Sequence, residues 1–122
     1  MPWLFNRTEA VFMQIEKRLK RDILRGKYLP DTQFPSVRQL AAEAAVNPNT
    51  MQKALSLLEE EGLLYSKGTL GRFVTNDKAV LEREREAWRS DVIQTLLSQA
   101  RELGISNREL IKYIEKEDER NV

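Results

Sequence analysis

The placement of its helix-breaking residues constrains this chain more than any other feature. Its 122 residues include 5 Gly and 4 Pro, and apart from Pro2 each falls between periodic apolar segments rather than inside one. Before Gly26, Phe12, Ile15, Leu19 and Ile23 recur at spacings of three and four, predicting a helix from Arg7 to Arg25 with Asn6 and Glu9 as a capping box. KYLPDTQFP then reads as a connector. Ser36, with Gln39 three positions on, opens a short helix to about Ala44 whose core contacts are Leu40 and Ala41. Asn47-Pro48 restarts the chain as an N-cap followed by proline at the first helical position, where a missing N–H costs nothing. That third helix runs to about Glu61, with Met51, Leu55 and Leu58 on one stripe, and Gly62 stops it. Two strand-like stretches, Leu63–Ser66 and Arg72–Thr75, flank the turn KGTLG. A long helix follows from Lys78 to about Leu103, broken by Gly104. Ser106 and Glu109 cap a last helix through about Glu117, and EKEDERNV reads as a frayed tail.

Composition narrows the chemistry. Hydrophobic residues make up 41% and charged residues 32%, enough apolar material for a small core that gains by oligomerising. With His 0 and Cys 0, no thiol nucleophile, disulfide, zinc finger or Ser-His triad can be built, and a transition-metal effector lacks its usual ligands. An enzyme would have to work with carboxylates such as Glu43 or Glu59–Glu61, which fall on exposed helix faces with no pocket-forming surround, so no catalytic residue, cofactor or metal site is expected. No signal peptide and no membrane span is read, and a cytoplasmic location is expected. Net charge is +1, but residues 1–76 hold 11 Lys+Arg against 8 Asp+Glu while residues 77–122 hold 9 against 11. The first part is therefore suited to an anionic partner.

Helix, three-residue turn, helix and hairpin from Ser36 to Thr75 describe a winged helix-turn-helix. A recognition helix must bury one side and offer small polar side chains to a major groove. In the third helix the core stripe leaves Asn49, Thr50, Gln52, Lys53 and Ser56 facing outward. Asn and Gln pair with adenine, Lys reaches guanine or phosphate, and Thr50 suits phosphate or a thymine methyl. A solvated helix face would show the same residue types, and Asn47 is a cap in either case. Arg38 stands in the first turn of its helix, where a cation opposes the dipole unless an anion binds there. Lys67 and Arg72 flank the wing, where they suit a phosphate backbone or serve solubility.

LPDTQFPSVRQLAAEAAVNPNTMQKALSLLEEEGLLYSKGTLGRFV resembles the DNA-binding domain of GntR-type bacterial transcription regulators, and the match continues back through FMQIEKRLKRDILRGKYLP, covering about residues 10–75. The remaining 45 or so residues resemble the short extension of the YtrA-like subgroup, with no room for the large effector-binding domains of other subgroups. The resemblance implies that the third helix enters the major groove, that the wing lies at the minor groove, and that Arg38 contacts DNA. It places Asn47, Asn49, Thr50, Gln52 and Lys53 in the recognition-helix contact region and Gly71 at the wing glycine. Three positions depart from the pattern. Asp31 and Ala45 stand where glycine is usual, and Leu70 replaces a common basic wing residue.

The expected fold is mainly α: a winged helix-turn-helix over 7–76, and a two-helix dimerisation extension over 77–122. Leu81, Trp88, Val92, Leu96 and Leu103 on the long helix would form an exposed patch in a monomer. A second copy would cover it in a two-fold dimer, although packing back onto the winged part would also do so. Trp88 and Tyr113 could line a cavity for an apolar effector or simply fill a core. The expected function is sequence-specific binding of double-stranded DNA, as a homodimeric repressor at a palindromic operator. The resemblance implies control of a transporter operon. The rival reading is a winged-helix protein-interaction module with no specific DNA binding.

Overall fold

A computed structural model describes residues 2–121. Its helices are α1 (Val11–Leu24), α2 (Val37–Ala44), α3 (Pro48–Glu60), α4 (Lys78–Glu102) and α5 (Asn107–Arg120). Strands β1 (Leu64–Ser66) and β2 (Arg72–Val74) lie between α3 and α4, joined through a single 3₁₀ turn at Gly68–Leu70. The strands pair antiparallel, with Leu64 opposite Val74 and Ser66 opposite Arg72. Mainly helical, with a two-stranded wing after a helix-turn-helix, this is the fold class expected from the punctuation.

Local signals explain most of the element boundaries. Ser36 caps α2 and Ser106 caps α5, each in a reciprocal capping box with Gln39 or Glu109. The Asn47 side chain accepts the Asn49 N–H at 2.7 Å with Pro48 at the first position of α3. Asp77 Oδ1 accepts the N–H groups of Ala79 and Val80 and starts α4.

The helices of the winged part meet over one core. Ile15, Leu19 and Ile23 of α1, Leu40, Ala41 and Ala44 of α2, and Met51, Ala54, Leu55 and Leu58 of α3 are buried together with Leu63, Leu64 and Val74 from the wing. Phe12, expected on the same stripe, is only half-buried.

The first helix begins later than expected. Asn6 and Glu9 form no capping box, and α1 starts at Val11 behind Ala10, which makes no side-chain cap. The Gln14 side chain takes over: its Nε2 donates to the carbonyls of Asn6 and Glu9, and its Oε1 accepts the Asn6 N–H. The preceding segment is held elsewhere. Trp3 is buried, its N–H donates to the Ala44 carbonyl at the end of α2, and the Arg18 guanidinium lies 3.9 Å over its ring. A helix beginning at Arg7 could not also deliver Trp3 there. At the other end α5 reaches Arg120, so the expected frayed tail is helical over most of its length.

The connector is an edge element. The Asp31 N–H donates to Val74 O, Val74 N–H to Thr32 O, and Phe34 N–H to Arg72 O, so residues 31–34 line β2 on the side away from β1. Two residues without glycine's freedom take left-handed backbone, Asp31 at φ 63° and Ala45 at φ 59°. Asp31 is compensated: its carboxylate accepts hydrogen bonds from the Tyr65 hydroxyl and the Asn76 amide, each at 3.0 Å. Ala45 has no such side chain, so Ala45→Gly should stabilise the protein by about 1 kcal/mol. Asp31→Gly, which loses two hydrogen bonds of about 0.5–1.5 kcal/mol each, should not. Urea unfolding of the two variants checks the contrast.

Contacts divide the chain into two compact units, Met1–Glu84 and Arg85–Val122. The first extends past residue 76 because the opening turns of α4 are anchored to it. Leu81 is buried at 7% exposure, Arg83 donates to the Glu61 carbonyl at 3.1 Å, and Glu84 lies 3.8 Å from the Lys20 ammonium. Lys20 also meets Glu16 at 2.9 Å and Glu61 at 2.7 Å. Burial of Lys20 works against its charge, yet the hydrogen bonds to Glu61 and Glu16 outweigh it and raise its pKa. Three carboxylates share one ammonium, and burial followed by the neighbouring Glu16 pushes Glu61 up to about 7. The folded chain therefore holds a proton on Glu61 that the unfolded chain releases near 4.5. Stability from this group is full below pH 4.5 and is lost as the pH rises through about 7. Glu61→Gln should abolish that decline and raise the thermal midpoint at pH 8 above that of the parent. Melting curves across pH 5–8 read both effects.

Candidate nucleic-acid interface

The exposed side of α3 follows directly from its buried side. With Met51, Ala54, Leu55 and Leu58 facing the core, Asn49, Gln52 and Lys53 are exposed and Thr50 and Ser56 half-buried. Asn47 is engaged as the helix cap. Gln52 Nε2 donates to Ser56 Oγ at 3.3 Å in an exposed bond. The Lys53 ammonium lies 4.1 Å over the Phe12 ring, so α1 lends this face an aromatic support. A shallow groove there is lined by Val11, Phe12, Asn49, Thr50 and Lys53. The apolar spacing of α1 marked Phe12 only as core, and nothing local in the sequence shows that its ring lies under Lys53.

Arg38 occupies the first turn of α2, exposed and with no hydrogen bond or ion pair among the described residues. A guanidinium beside the positive end of a helix dipole is electrostatically unfavourable alone and becomes favourable when an anion joins the uncapped N–H groups. The wing stands next to this helix start: one cleft is lined by Gln33, Pro35, Ser36 and Val37 together with Gly71 and Arg72. Gly71 adopts φ 96° and ψ −157°, a region essentially reserved for glycine. The connector clamps the turn beside it, since Gln33 Nε2 donates to the Leu70 carbonyl at 2.7 Å.

Of the two wing cations, only Lys67 is exposed. Arg72 is half-buried, and its Nε donates to Glu59 Oε1 at 2.9 Å, tying β2 to α3. Ser66 Oγ donates to the same oxygen at 2.8 Å. These bonds, the Ser66 one foremost, hold the Glu59 carboxyl below the usual carboxylate range. The Lys67 ammonium lies 4.7 Å over the Phe73 ring and 5.7 Å from that of Tyr65, along the face of the wing. Glu59 and Gln33 are therefore the supporting residues of the wing. Sequence reasoning named Glu59 only as a carboxylate on an exposed helix face and did not name Gln33, whose partner lies 37 positions along the chain.

In the second unit, the candidate association residues divide. Val92 is 53%, Leu96 36% and Leu103 76% exposed within one chain, while Trp88 is half-buried. Leu81 belongs to the core of the first unit and is no part of an exposed patch. Ile93 of α4 and Ile111, Tyr113 and Ile114 of α5 extend the exposed apolar surface. Among the described residues no helix is long and apolar enough to cross a membrane.

Known proteins share this arrangement. The sequence profile of the family described as "Bacterial regulatory proteins, gntR family" matches residues 13–74. The HTH-type transcriptional repressor YtrA of Bacillus subtilis is 29% identical over 107 residues, 87% of this chain and 82% of the relative. A GntR family transcriptional regulator from Listeria monocytogenes superposes with a TM-score of 0.84 at 28% identity, over 92% of this chain and 98% of that one. The DNA-binding domain of AraR, solved in complex with operator ORE1, superposes at 0.54 with 31% identity, over 61% of this chain and 90% of that one. A winged helix-turn-helix with an exposed polar face on α3, matched over half its length by this profile, is that of a transcriptional regulator rather than an enzyme, and the chain belongs to the gntR family of bacterial regulatory proteins.

Proposed function

We propose that this protein is a homodimeric repressor, acting in the cytoplasm, that binds a palindromic operator in double-stranded DNA and controls a transporter operon. The observation that carries the DNA reading is the joint exposure of Arg38 at the start of α2 and of Asn49, Gln52 and Lys53 on α3. These residues offer paired hydrogen-bonding groups and cations, the side-chain chemistry that reads base edges and phosphates. In this reading Asn47 and Thr50 position the front of α3 against phosphate, and Gly71 lets the wing backbone approach closely. Lys67 adds charge from the face of the wing, and Arg72 acts from behind by bracing it. AraR's DNA-binding domain, which shares this fold, was solved on an operator, and a relative covering most of the chain is named a repressor. Val92, Leu96 and Leu103, exposed in one chain, support association through the second unit.

Repression suits a protein of this size, because occupying a promoter requires no surface for recruiting polymerase. Selection from a random DNA pool with the purified protein tests the reading. Two inverted half-sites, centred about 10 base pairs or a multiple apart, are expected. Enrichment of no sequence, with binding at the nonspecific level in physiological salt, would overturn it.

A further inference from the structure

The wing of this protein ends in an uncharged turn. Its tip, Gly68–Leu70 followed by Gly71, contains no ionisable side chain. Of the cations on either side, Arg72 is held by Glu59, while Lys67 is exposed and lies over the rings of Phe73 and Tyr65. What remains at the tip is Leu70, a large apolar side chain left 62% exposed. Its backbone is not loose. The Leu70 carbonyl accepts the Gln33 amide at 2.7 Å, and Lys67 N–H donates to Gly71 O at 2.9 Å across the base of the turn. A leucine held rigidly in water at a loop tip gains free energy only when something apolar covers it. Gly71, next to Leu70, lines one cleft with Ser36 and Val37 at the start of α2, the helix on which Arg38 is exposed.

We propose that Leu70 is the wing's specificity-determining contact, an apolar wedge seated in the minor groove and selecting A·T pairs there. The inference rests on the DNA-binding reading above and adds to it what the wing recognises. Apolar side chains enter minor grooves by packing on sugars and between base edges. An A·T pair leaves the groove floor clear, whereas a G·C pair projects the guanine N2 amino group, a donor that leucine cannot accept. Contact through Leu70 then depends on groove shape and adds nothing to counterion release, which only phosphate contacts provoke.

The test uses the full-length chain and the duplex it enriches from a random pool. Leu70→Ala should lower affinity about tenfold for the lost apolar burial, with the slope of log affinity against log salt unchanged. Leu70→Lys should steepen that slope by about 0.9 for each protomer as a new phosphate contact forms. Replacing A·T by G·C at the wing position should weaken the parent protein, and inosine in place of that guanine should restore binding, because inosine lacks the N2 amino group but keeps guanine's major-groove edge. Leu70→Ala should be indifferent to both changes. Leu70 uses only its backbone in the fold, so matched melting curves confirm that both variants remain folded. An enriched duplex that Leu70→Ala binds as tightly as the parent overturns this proposal alone, as does inosine failing to rescue. Failure to enrich any duplex overturns the DNA-binding reading itself, and this one with it.

Discussion

Replacing Val92 and Leu96 with lysine should convert the protein to a monomer and lower its affinity for the selected operator by at least about 100-fold. Both side chains are exposed in a single chain, so the change leaves the core of Met1–Glu84 untouched and its melting transition in place. In a dimer the same positions would be covered, and four ammonium groups would have to be desolvated against apolar neighbours, a far larger cost than a small helical interface returns. Loss of the dimer removes the advantage of two linked recognition helices, since the second half-site is otherwise engaged at an effective concentration in the millimolar range. Sedimentation and a binding titration read the two consequences separately. A variant that still sediments as a dimer would relocate the interface, and a parent that sediments as a monomer would remove it.

Arg38→Ala should cost about 1–3 kcal/mol at each half-site if the guanidinium reads a base edge. A symmetric dimer meets that loss twice. The substitution separates binding from folding unusually well. Arg38 is exposed and its charge opposes the dipole of α2, so its removal should leave stability unchanged or slightly raised. The character of the loss also identifies the contact. A base contact relaxes the preference at one operator position, whereas a phosphate contact weakens all sequences alike and reduces the salt slope by about one. Affinity equal to the parent's at matched salt would remove Arg38 from the interface.

The fold was legible wherever the determining interaction is short-range. Capping boxes at Ser36 and Ser106, the Asn47-Pro48 start and the glycines after α1, α3 and α4 act within a few residues, and the starts of α2, α3 and α5 lie where the sequence puts them. Ala45 shows the limit of a residue rule, since the turn imposes left-handed backbone whether or not glycine occupies it. Asn6 and Glu9 carry the letters of a capping box, yet the Gln14 side chain and the docking of Trp3 against α2 decide where α1 begins. The exposed face of α3 was readable because a buried stripe at helical spacing dictates its own opposite side. The wing was not, because the orientations of Lys67 and Arg72 depend on Phe73, Tyr65 and Glu59, and Leu81 changed role for the same reason.

Glu59 has a consequence for the DNA itself. By holding Ser66 and Arg72 from the back of α3, it makes the helix and the wing one solid piece, a caliper with jaws of set width. Such a piece measures the distance between two stretches of duplex as well as reading each of them. One base pair inserted between the helix-read and wing-read stretches turns them apart by about a tenth of a helical turn. If α3 and the wing both read DNA as proposed, a link held by Glu59 would then favour releasing one stretch to keep the other.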